Sequence, residues 1–138
     1  MKFISFNHDN SEKFGIIENN LITDLTGKID GTSSLKELIK IKKIKEAKEY
    51  AKSNPGSIKP DEIKYSPLIP NPGKIICVGL NYSEHVKETN RTVEENPVIF
   101  HRFPESQTAH MQAIQRPTVS ESLDLSLIHI SEPTRPLY

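Results

Sequence analysis

The chain has 138 residues, a hydrophobic share of 35%, and 18 basic and 18 acidic side chains that cancel at neutral pH. This length suits one modest domain, and the balanced charge gives no indication of nucleic acid or an anionic membrane as a partner. The single cysteine, Cys77, excludes an internal disulfide and a cysteine-based zinc site. No apolar run approaches the roughly 20 residues of a membrane span, and the start lacks a signal-peptide apolar region, so we expect a soluble cytoplasmic protein.

The first 65 residues predict a small antiparallel sheet. The apolar runs "KFISFNH" and "KFGIIENN", separated by the polar "DNSE", predict a β-hairpin. Asn19 and Asn20 form a second turn signal, and "LITDLT" after them predicts a third strand.

Two helical segments follow the predicted strands. Ser34 lies three residues before Glu37, which is the spacing of a capping box and predicts that a helix begins there. The apolar positions of this segment and of the basic stretch "IKIKKIKEAKEYAK" are predicted to be buried: Leu35, Leu38 and Ile39, then Ile41, Ile44, Ala47 and Ala51. Glutamates among the lysines of the second segment favour a solvated face, and a surface that binds an anionic partner is the alternative.

The middle of the chain is rich in proline. Residues 53–60 predict a linker, and three further prolines between 67 and 72 predict an extended crossing, so we expect a domain boundary at residues 65–72. The run Ile75–Val78 that follows is short, continuous and partly β-branched, which predicts a strand buried on both faces.

The stretch "GLNYSEHVKE" places a histidine three residues before a carboxylate. Gly79 allows a turn, and Asn81 or Ser83 can cap a helix on which His85 and Glu88 share one face. The helix dipole keeps such an imidazole neutral, and a carboxylate on its other ring nitrogen fixes the tautomer. The spacing therefore allows a water-activating pair, and an exposed pair without chemistry is the alternative.

Three stretches together resemble one enzyme family: "NPGKIICVGLNYSEHVKE", "NPVIFHRFPESQ" and "RPTVSESLD". They are similar to the fumarylacetoacetate hydrolase family over residues 66–124, and the amino-terminal part resembles it more loosely. The resemblance implies an α+β fold, with a small amino-terminal domain at 1–65 and the first strands of a mixed β-roll at 66–124. It also implies a metal-dependent enzyme of small keto acids, in which His85 and Glu88 activate the attacking water.

Arg102 falls where many members of that family have a lysine near the substrate. An arginine there could hold a carboxylate bidentately, and a plain surface charge is the alternative. His101 precedes it on a predicted strand, so the two side chains should face opposite ways. His101 and His110 are interpreted as structural, because neither has further ligands at metal-site spacing. The loop "QTAHMQAI" lacks the glycine that relatives usually carry there.

The resemblance implies a metal site that this sequence does not supply. In the family, a Glu-x-Glu pair and a later aspartate hold Mg²⁺ or Mn²⁺, but Asp124 is followed here by "LSLIHISEPTRPLY". Residues 125–138 resemble a translated sequencing adapter, with a divergent terminus as the alternative, so His129 is given no role. We therefore expect a truncated, inactive chain without its metal, in which the Ile75–Val78 strand lacks neighbours and promotes aggregation.

The leading functional hypothesis is an acylpyruvate-type hydrolase, which cleaves a carbon–carbon bond in a β-diketo or 2-oxo acid. A hydratase or isomerase of aromatic catabolism and a ureidoglycolate lyase are alternatives within the same family. The alternative from another class is an interaction module that uses the Lys40–Lys52 helix. The resemblance also implies a homodimer with a small keto-acid substrate, and neither nucleic acid nor a membrane as partner.

Overall fold

The computed structural model describes residues 1–79, 96–116 and 118–119. These ranges contain the strands β1 (Lys2–His8), β2 (Ser11–Glu18), β3 (Leu21–Asp24), β4 (Lys64–Ser66), β5 (Ile75–Gly79) and β6 (Val98–Arg102), the helices α1 (Leu35–Lys40) and α2 (Ile44–Ser53), and 3-10 turns at Pro60–Glu62 and Pro104–Ser106. Two sheets and two helices confirm the predicted α+β class. No helix in these ranges is long and apolar enough to cross a bilayer.

The chain forms two units. The first holds β1–β4 and both helices, together with residues 108–115, and the second holds β5 and β6. The proposed domains at 1–65 and 66–124 stay a prediction, and the tail at 125–138 lies outside the described residues.

The first unit is built on an antiparallel sheet with the strand order β3-β2-β1-β4. Two-residue turns join β1 to β2 and β2 to β3, and their residues Asp9, Asn10, Asn19 and Asn20 all have φ between 51° and 61°. This left-handed backbone matches the twist of a tight hairpin, and Asn and Asp tolerate it better than most residues. The predicted hairpin and third strand are confirmed.

The segment predicted as a linker instead lies along β3. Ile58 forms a bridge with Ile22, and the Thr23 hydroxyl donates to the Asn54 carbonyl at 3.2 Å. A side chain at Gly56 would overlap the backbone of Ile22, so only glycine fits this close approach. After this segment the chain enters β4, a three-residue strand that the sequence pattern did not predict.

The core of the first unit lies between the sheet and the two helices. It consists of eight buried residues: Phe14, Ile16, Leu25, Ile29, Leu35, Leu38, Ala47 and Ala51. The predicted burial of Ile39 and Ile41 is wrong, because their side chains are 47% and 40% exposed. Ile39 lies within α1, next to the inward face that Leu35 and Leu38 form, and Ile41 lies in the break between α1 and α2, before the inward face of α2 begins.

The start of α1 is capped by serine, as its sequence predicts. The Ser34 hydroxyl accepts from the Glu37 amide at 3.3 Å. The Glu37 carboxylate accepts from the amide and hydroxyl of Ser33, at 2.7 and 3.0 Å, so the reciprocal bond reaches one residue further back than in the usual capping box. The bond from the Ser33 amide is the largest of the effects that lower the pKa of Glu37.

The end of α1 is a Schellman motif with an unusual residue. The Lys43 amide donates to the Leu38 carbonyl at 3.2 Å, and the Lys42 amide donates to the Ile39 carbonyl at 3.0 Å. Lys42 lies in the left-handed region with φ 61°, where glycine is the usual choice. α1 therefore ends with backbone strain that a glycine would not carry.

Asp24 fixes the chain at the end of β3. Its carboxylate accepts from the Thr26 amide at 2.8 Å and lies 3.1 Å from the Lys13 ammonium. Burial alone would raise the pKa of Asp24, but the hydrogen bonds from Thr26 and the charge of Lys13 outweigh burial, so the pKa lies below its ordinary value.

The second unit pairs β5 with β6 in antiparallel register, from Ile75 opposite Arg102 to Gly79 opposite Val98. The predicted burial of both faces is wrong, because Ile76 is 67% and Val78 45% exposed while Cys77 is 2% exposed. Alternation of this kind is expected of a strand with one covered face. The expectation that Ile75–Val78 lacks neighbours is also wrong, since β6 pairs along its whole length.

Candidate active site

The covered face of the β5–β6 pair carries Arg102. Residues directly opposite each other in an antiparallel pair point to the same side, so Arg102 shares this face with Cys77 and Phe100. The Arg102 guanidinium carbon lies 5.7 Å from the centre of the Phe100 ring, within the range of a cation–π contact. The strand thus presents a half-buried cation that an aromatic ring supports from one side.

One hydrogen-bond donor of Arg102 is left without a partner. Its Nε is buried, and no acceptor in the described part of the chain lies within hydrogen-bond distance. Buried donors are normally satisfied, because leaving one unpaired costs about 1–3 kcal/mol. Nε and a terminal nitrogen form the edge with which arginine binds a carboxylate bidentately. The geometry therefore equips Arg102 to receive an anionic ligand.

Phe100 is the residue of this face that the sequence analysis missed. It alternates with Arg102 at the strand period of two, which was the signal available. Gly79 lies close to the Phe100 ring, and the Cβ atom of any other residue at position 79 would lie 3.3 Å from the nearest ring carbon. Gly79 is the last residue of β5 rather than a turn, because it still pairs with Val98.

The predicted catalytic pair, His85 and Glu88, lies outside the described residues, as do the helix caps predicted at Asn81 and Ser83. The structure describes the strand that leads toward the pair, which ends at Gly79, and the strand β6 that carries Arg102. The dyad and its proximity to Arg102 therefore stay predictions.

The histidines interpreted as structural each meet an aromatic ring. His101 lies edge-on to Phe103 with ring centres 5.5 Å apart, and His110 lies edge-on to Tyr65 at 4.9 Å. The pairing of His101 with Phe103, and of Arg102 with Phe100, agrees with the predicted alternation of the strand.

A metal site was tested against the residues present. No group of three His, Cys, Asp or Glu side chains in the described ranges could hold a metal ion. Asp124 lies outside these ranges, and the Glu-x-Glu pair implied by the resemblance does not occur after it in the sequence. Among the described residues, therefore, no donor set fits the expected Mg²⁺ or Mn²⁺, and no chemical step is assigned to a metal.

The lysine-rich surface of α2 has an ordinary structural explanation. Lys43 pairs with Asp30 at 2.7 Å and with Glu46 at 2.9 Å, and the hydrogen bond to Asp30 is the main cause of its raised pKa. Within α2, Ala47 and Ala51 pack into the core. These contacts account for Lys43, and the solvated outer face of the other lysines stays a prediction.

The family model described as "Fumarylacetoacetate (FAA) hydrolase C-terminal" matches residues 74–127. Over these residues the chain is similar to the fumarylacetoacetate hydrolase family. The matched residues include β5, β6 and Arg102, so the face described above is built from the family's own sequence.

Relatives of known name match part of the chain. The mitochondrial oxaloacetate tautomerase Fahd2a of Rattus norvegicus is 36% identical over 63 residues, which are 46% of this chain and 20% of the relative. The mitochondrial oxaloacetate tautomerase fahd2 of Xenopus laevis is 36% identical over 78 residues, 56% of this chain and 24% of the relative. A fumarylacetoacetate hydrolase domain-containing protein 2 homolog of Dictyostelium discoideum is 38% identical over 53 residues, 38% of this chain and 17% of the relative. The chain thus matches about a fifth of each relative's length.

A solved structure confirms the fold. A candidate HpcE protein from Mycobacterium smegmatis superposes with a TM-score of 0.63 at 21% identity, over 85% of this chain and 41% of that one. At this identity the likeness concerns the fold alone, and it extends to the amino-terminal unit that the family model does not match.

Proposed function

We propose that this chain binds a small 2-oxo acid through Arg102, as part of a fumarylacetoacetate hydrolase-family enzyme. The observation that carries the proposal is the buried, unpartnered Nε of Arg102 on the covered face of β6. A substrate carboxylate would accept from Nε and a terminal nitrogen together, and so remove the cost of the unsatisfied donor. The Phe100 ring would exclude water from one side of this ion pair.

The chemistry proposed beside this anchor is proton transfer by His85 and Glu88. In hydrolysis of the acylpyruvate type, the histidine would take a proton from the water that attacks the distal carbonyl. In tautomerisation, the reaction in the names of the rat and frog relatives, it would take a proton from C3 and the oxygen at C2 would gain one. Both reactions need a neutral imidazole held by a carboxylate. Hydratase, isomerase and lyase activities remain alternatives that use the same keto-acid end.

Other expectations for the family enzyme stay predictions. They are the use of Mg²⁺ or Mn²⁺, a homodimer and a cytoplasmic location, and the relatives in rat and frog are named as mitochondrial. We expect no turnover from these 138 residues, because the sequence lacks the Glu-x-Glu pair.

Binding is tested by titrating pyruvate and oxaloacetate into the ¹⁵N-labelled chain and following amide shifts of β5 and β6. Arg102→Ala should weaken binding by about tenfold or more, the loss expected for a charged hydrogen-bonded pair, and Arg102→Lys should weaken it less. Arg116→Ala, which removes an exposed arginine elsewhere, should leave binding unchanged. Methyl pyruvate lacks the carboxylate and should not bind. Equal affinity of wild type and Arg102→Ala, or of pyruvate and its ester, would refute the anchor.

Turnover is measured on a completed chain, in which a family carboxyl-terminal region with the Glu-x-Glu pair replaces residues 125–138, with Mg²⁺ or Mn²⁺ present, using the enol absorbance of oxaloacetate and the loss of an acylpyruvate. Any turnover that His85→Ala and Glu88→Ala both abolish supports the dyad. Turnover that survives His85→Ala shows that the proton is moved by another group.

A further inference from the structure

Gly79 is the last residue of β5, and its backbone conformation does not require glycine. It pairs with Val98, and its φ lies outside the left-handed region that favours glycine. Glycine weakens a strand, because it loses more backbone entropy on folding than any other residue and packs no side chain. Glycine inside a strand often marks the close approach of another group. The reason for glycine at position 79 therefore lies in its surroundings.

The Phe100 ring occupies the space that a side chain at position 79 would take. A Cβ atom there would lie 3.3 and 3.6 Å from two carbons of the ring, and 3.7 Å from a methyl carbon of Val98. Phe100 lies opposite Cys77 in the register, so its ring reaches diagonally across the pair toward Gly79. A Cβ atom at position 79 would displace the ring by a few tenths of an ångström.

The same ring lies against Arg102, the next residue on this face of β6. The guanidinium carbon is 5.7 Å from the ring centre, so the attraction between cation and ring favours the conformers of Arg102 that keep this contact. Arginine otherwise has much rotamer freedom to lose when a ligand orders it. A contact that restricts the side chain beforehand lowers that entropic cost. In the conformer that makes this contact, Nε is buried and has no acceptor in the described part of the chain.

We propose that Phe100 is a positioning residue, which holds the Arg102 guanidinium in the orientation that leaves Nε for a ligand, and that Gly79 provides the space for its ring. This rests on the proposed function, because it takes Arg102 as the group that binds the substrate carboxylate. The effect of Phe100 on affinity passes through Arg102, whose side chain is ordered before the ligand arrives.

The experiment compares variants of the full chain by pyruvate affinity and by the NMR signal of the Arg102 Nε–H group without ligand, which is assigned by its loss in Arg102→Ala. Gly79→Ala keeps both Phe100 and Arg102 and moves only the ring. It should fold, because φ at this position suits alanine and the ring can shift. Phe100→Leu removes the ring, and Phe100→Tyr retains it. Ile99→Ala, which is 62% exposed and on the other face of β6, is the matched control.

Gly79→Ala and Phe100→Leu should weaken pyruvate binding by about three- to tenfold, the loss expected when a side chain with many rotamers must be ordered on binding. In Gly79→Ala the Arg102 signal should also move, since protons near an aromatic ring resonate at frequencies that depend on where the ring lies. Phe100→Tyr should keep the affinity within about twofold of wild type, and Ile99→Ala should change neither value.

Unchanged affinity in Gly79→Ala and Phe100→Leu, in a wild type that binds pyruvate through Arg102, overturns the positioning role and leaves the Arg102 anchor standing. Weaker binding of Gly79→Ala with an unmoved Arg102 signal overturns it as well, because Phe100 would then act on the ligand directly. An equal loss in Ile99→Ala would show a general disturbance of β6 and has the same consequence. If Arg102→Ala binds pyruvate as the wild type does, the proposed function fails, and the Arg102 signal of Gly79→Ala alone decides whether the ring holds the guanidinium.

Discussion

Replacing Lys42 by glycine should stabilise the protein. Lys42 ends α1 with φ 61°, and the left-handed region costs an L-residue about 1–2 kcal/mol. Glycine avoids this cost but loses about 0.5–1 kcal/mol of extra backbone entropy on folding. The two bonds of the Schellman motif join backbone atoms and survive the change. We therefore expect a net gain of about 0.5–1 kcal/mol, or roughly 3–6 °C in Tm for a unit of this size.

The assay is urea unfolding followed by far-UV circular dichroism, with m values compared between variants. Lys48→Gly removes the same side chain from the interior of α2, where φ is helical, and should cost about 0.7–1 kcal/mol. Lys42→Ala removes the charge but keeps the strain, and should change little. If Lys42→Gly destabilises as much as Lys48→Gly, the conformation of Lys42 does not limit stability and the reasoning is wrong.

Two further predictions concern the same unit. Asp24→Asn should lower stability at pH 7 by about 1–2 kcal/mol, since it weakens hydrogen bonds to a charged acceptor. Because the pKa of Asp24 is lowered on folding, the contribution of its carboxylate to stability is present above the unfolded pKa near 4 and disappears as pH falls through the folded pKa. The urea midpoints of variant and wild type should therefore converge in acid. Equal midpoints at pH 7 would show that Asp24 contributes nothing. Leu38→Ala should lower the free energy of unfolding by about 2–5 kcal/mol, because Leu38 is fully buried. Ile39→Ala, one residue away and 47% exposed, should be nearly neutral in the same unfolding assay. Similar losses for the two variants would contradict the described packing of α1.

The features predicted correctly from the sequence are those whose physics is local. Asp9-Asn10 and Asn19-Asn20 marked their turns because few side chains accept a left-handed backbone. Ser34 marked the start of α1 because its hydroxyl needs only the amide three residues on. Such signals involve residues close in sequence, so a single chain is enough to detect them.

The errors concern features that depend on the rest of the fold. Three-residue β4 is a strand only because β1 lies beside it, and its own sequence has no clear period. Ile39 and Ile41 fit a helical period in the sequence, but the inward face of α1 is limited to Leu35 and Leu38, and Ile41 lies in the turn between α1 and α2. The apolar run at β5 was interpreted as buried on both faces because periodicity does not show how many neighbours a strand has.

The candidate site was predictable mainly through the resemblance. From spacing alone, His85 and Glu88 could equally be an exposed pair without a chemical role, and Arg102 could be an ordinary surface charge. The structure shows two features of Arg102 that sequence spacing cannot show: its Nε has no hydrogen-bond partner, and the Phe100 ring lies beside its guanidinium group. Phe100 was missed because an aromatic residue in a strand usually indicates packing.

Other segments of the chain occupy part of each outer edge of the amino-terminal sheet in the described residues. Along the β3 edge, Ile58 and Ile22 each donate a backbone hydrogen bond to the other's carbonyl, and Gly56 lies close against the same strand. Along its β4 edge, Gln112 caps the Tyr65 carbonyl. Free strand edges are where sheets of separate molecules join into aggregates, so these contacts reduce the length of strand edge that is open to such joining. Variants that release either segment should therefore lose solubility before they lose the fold.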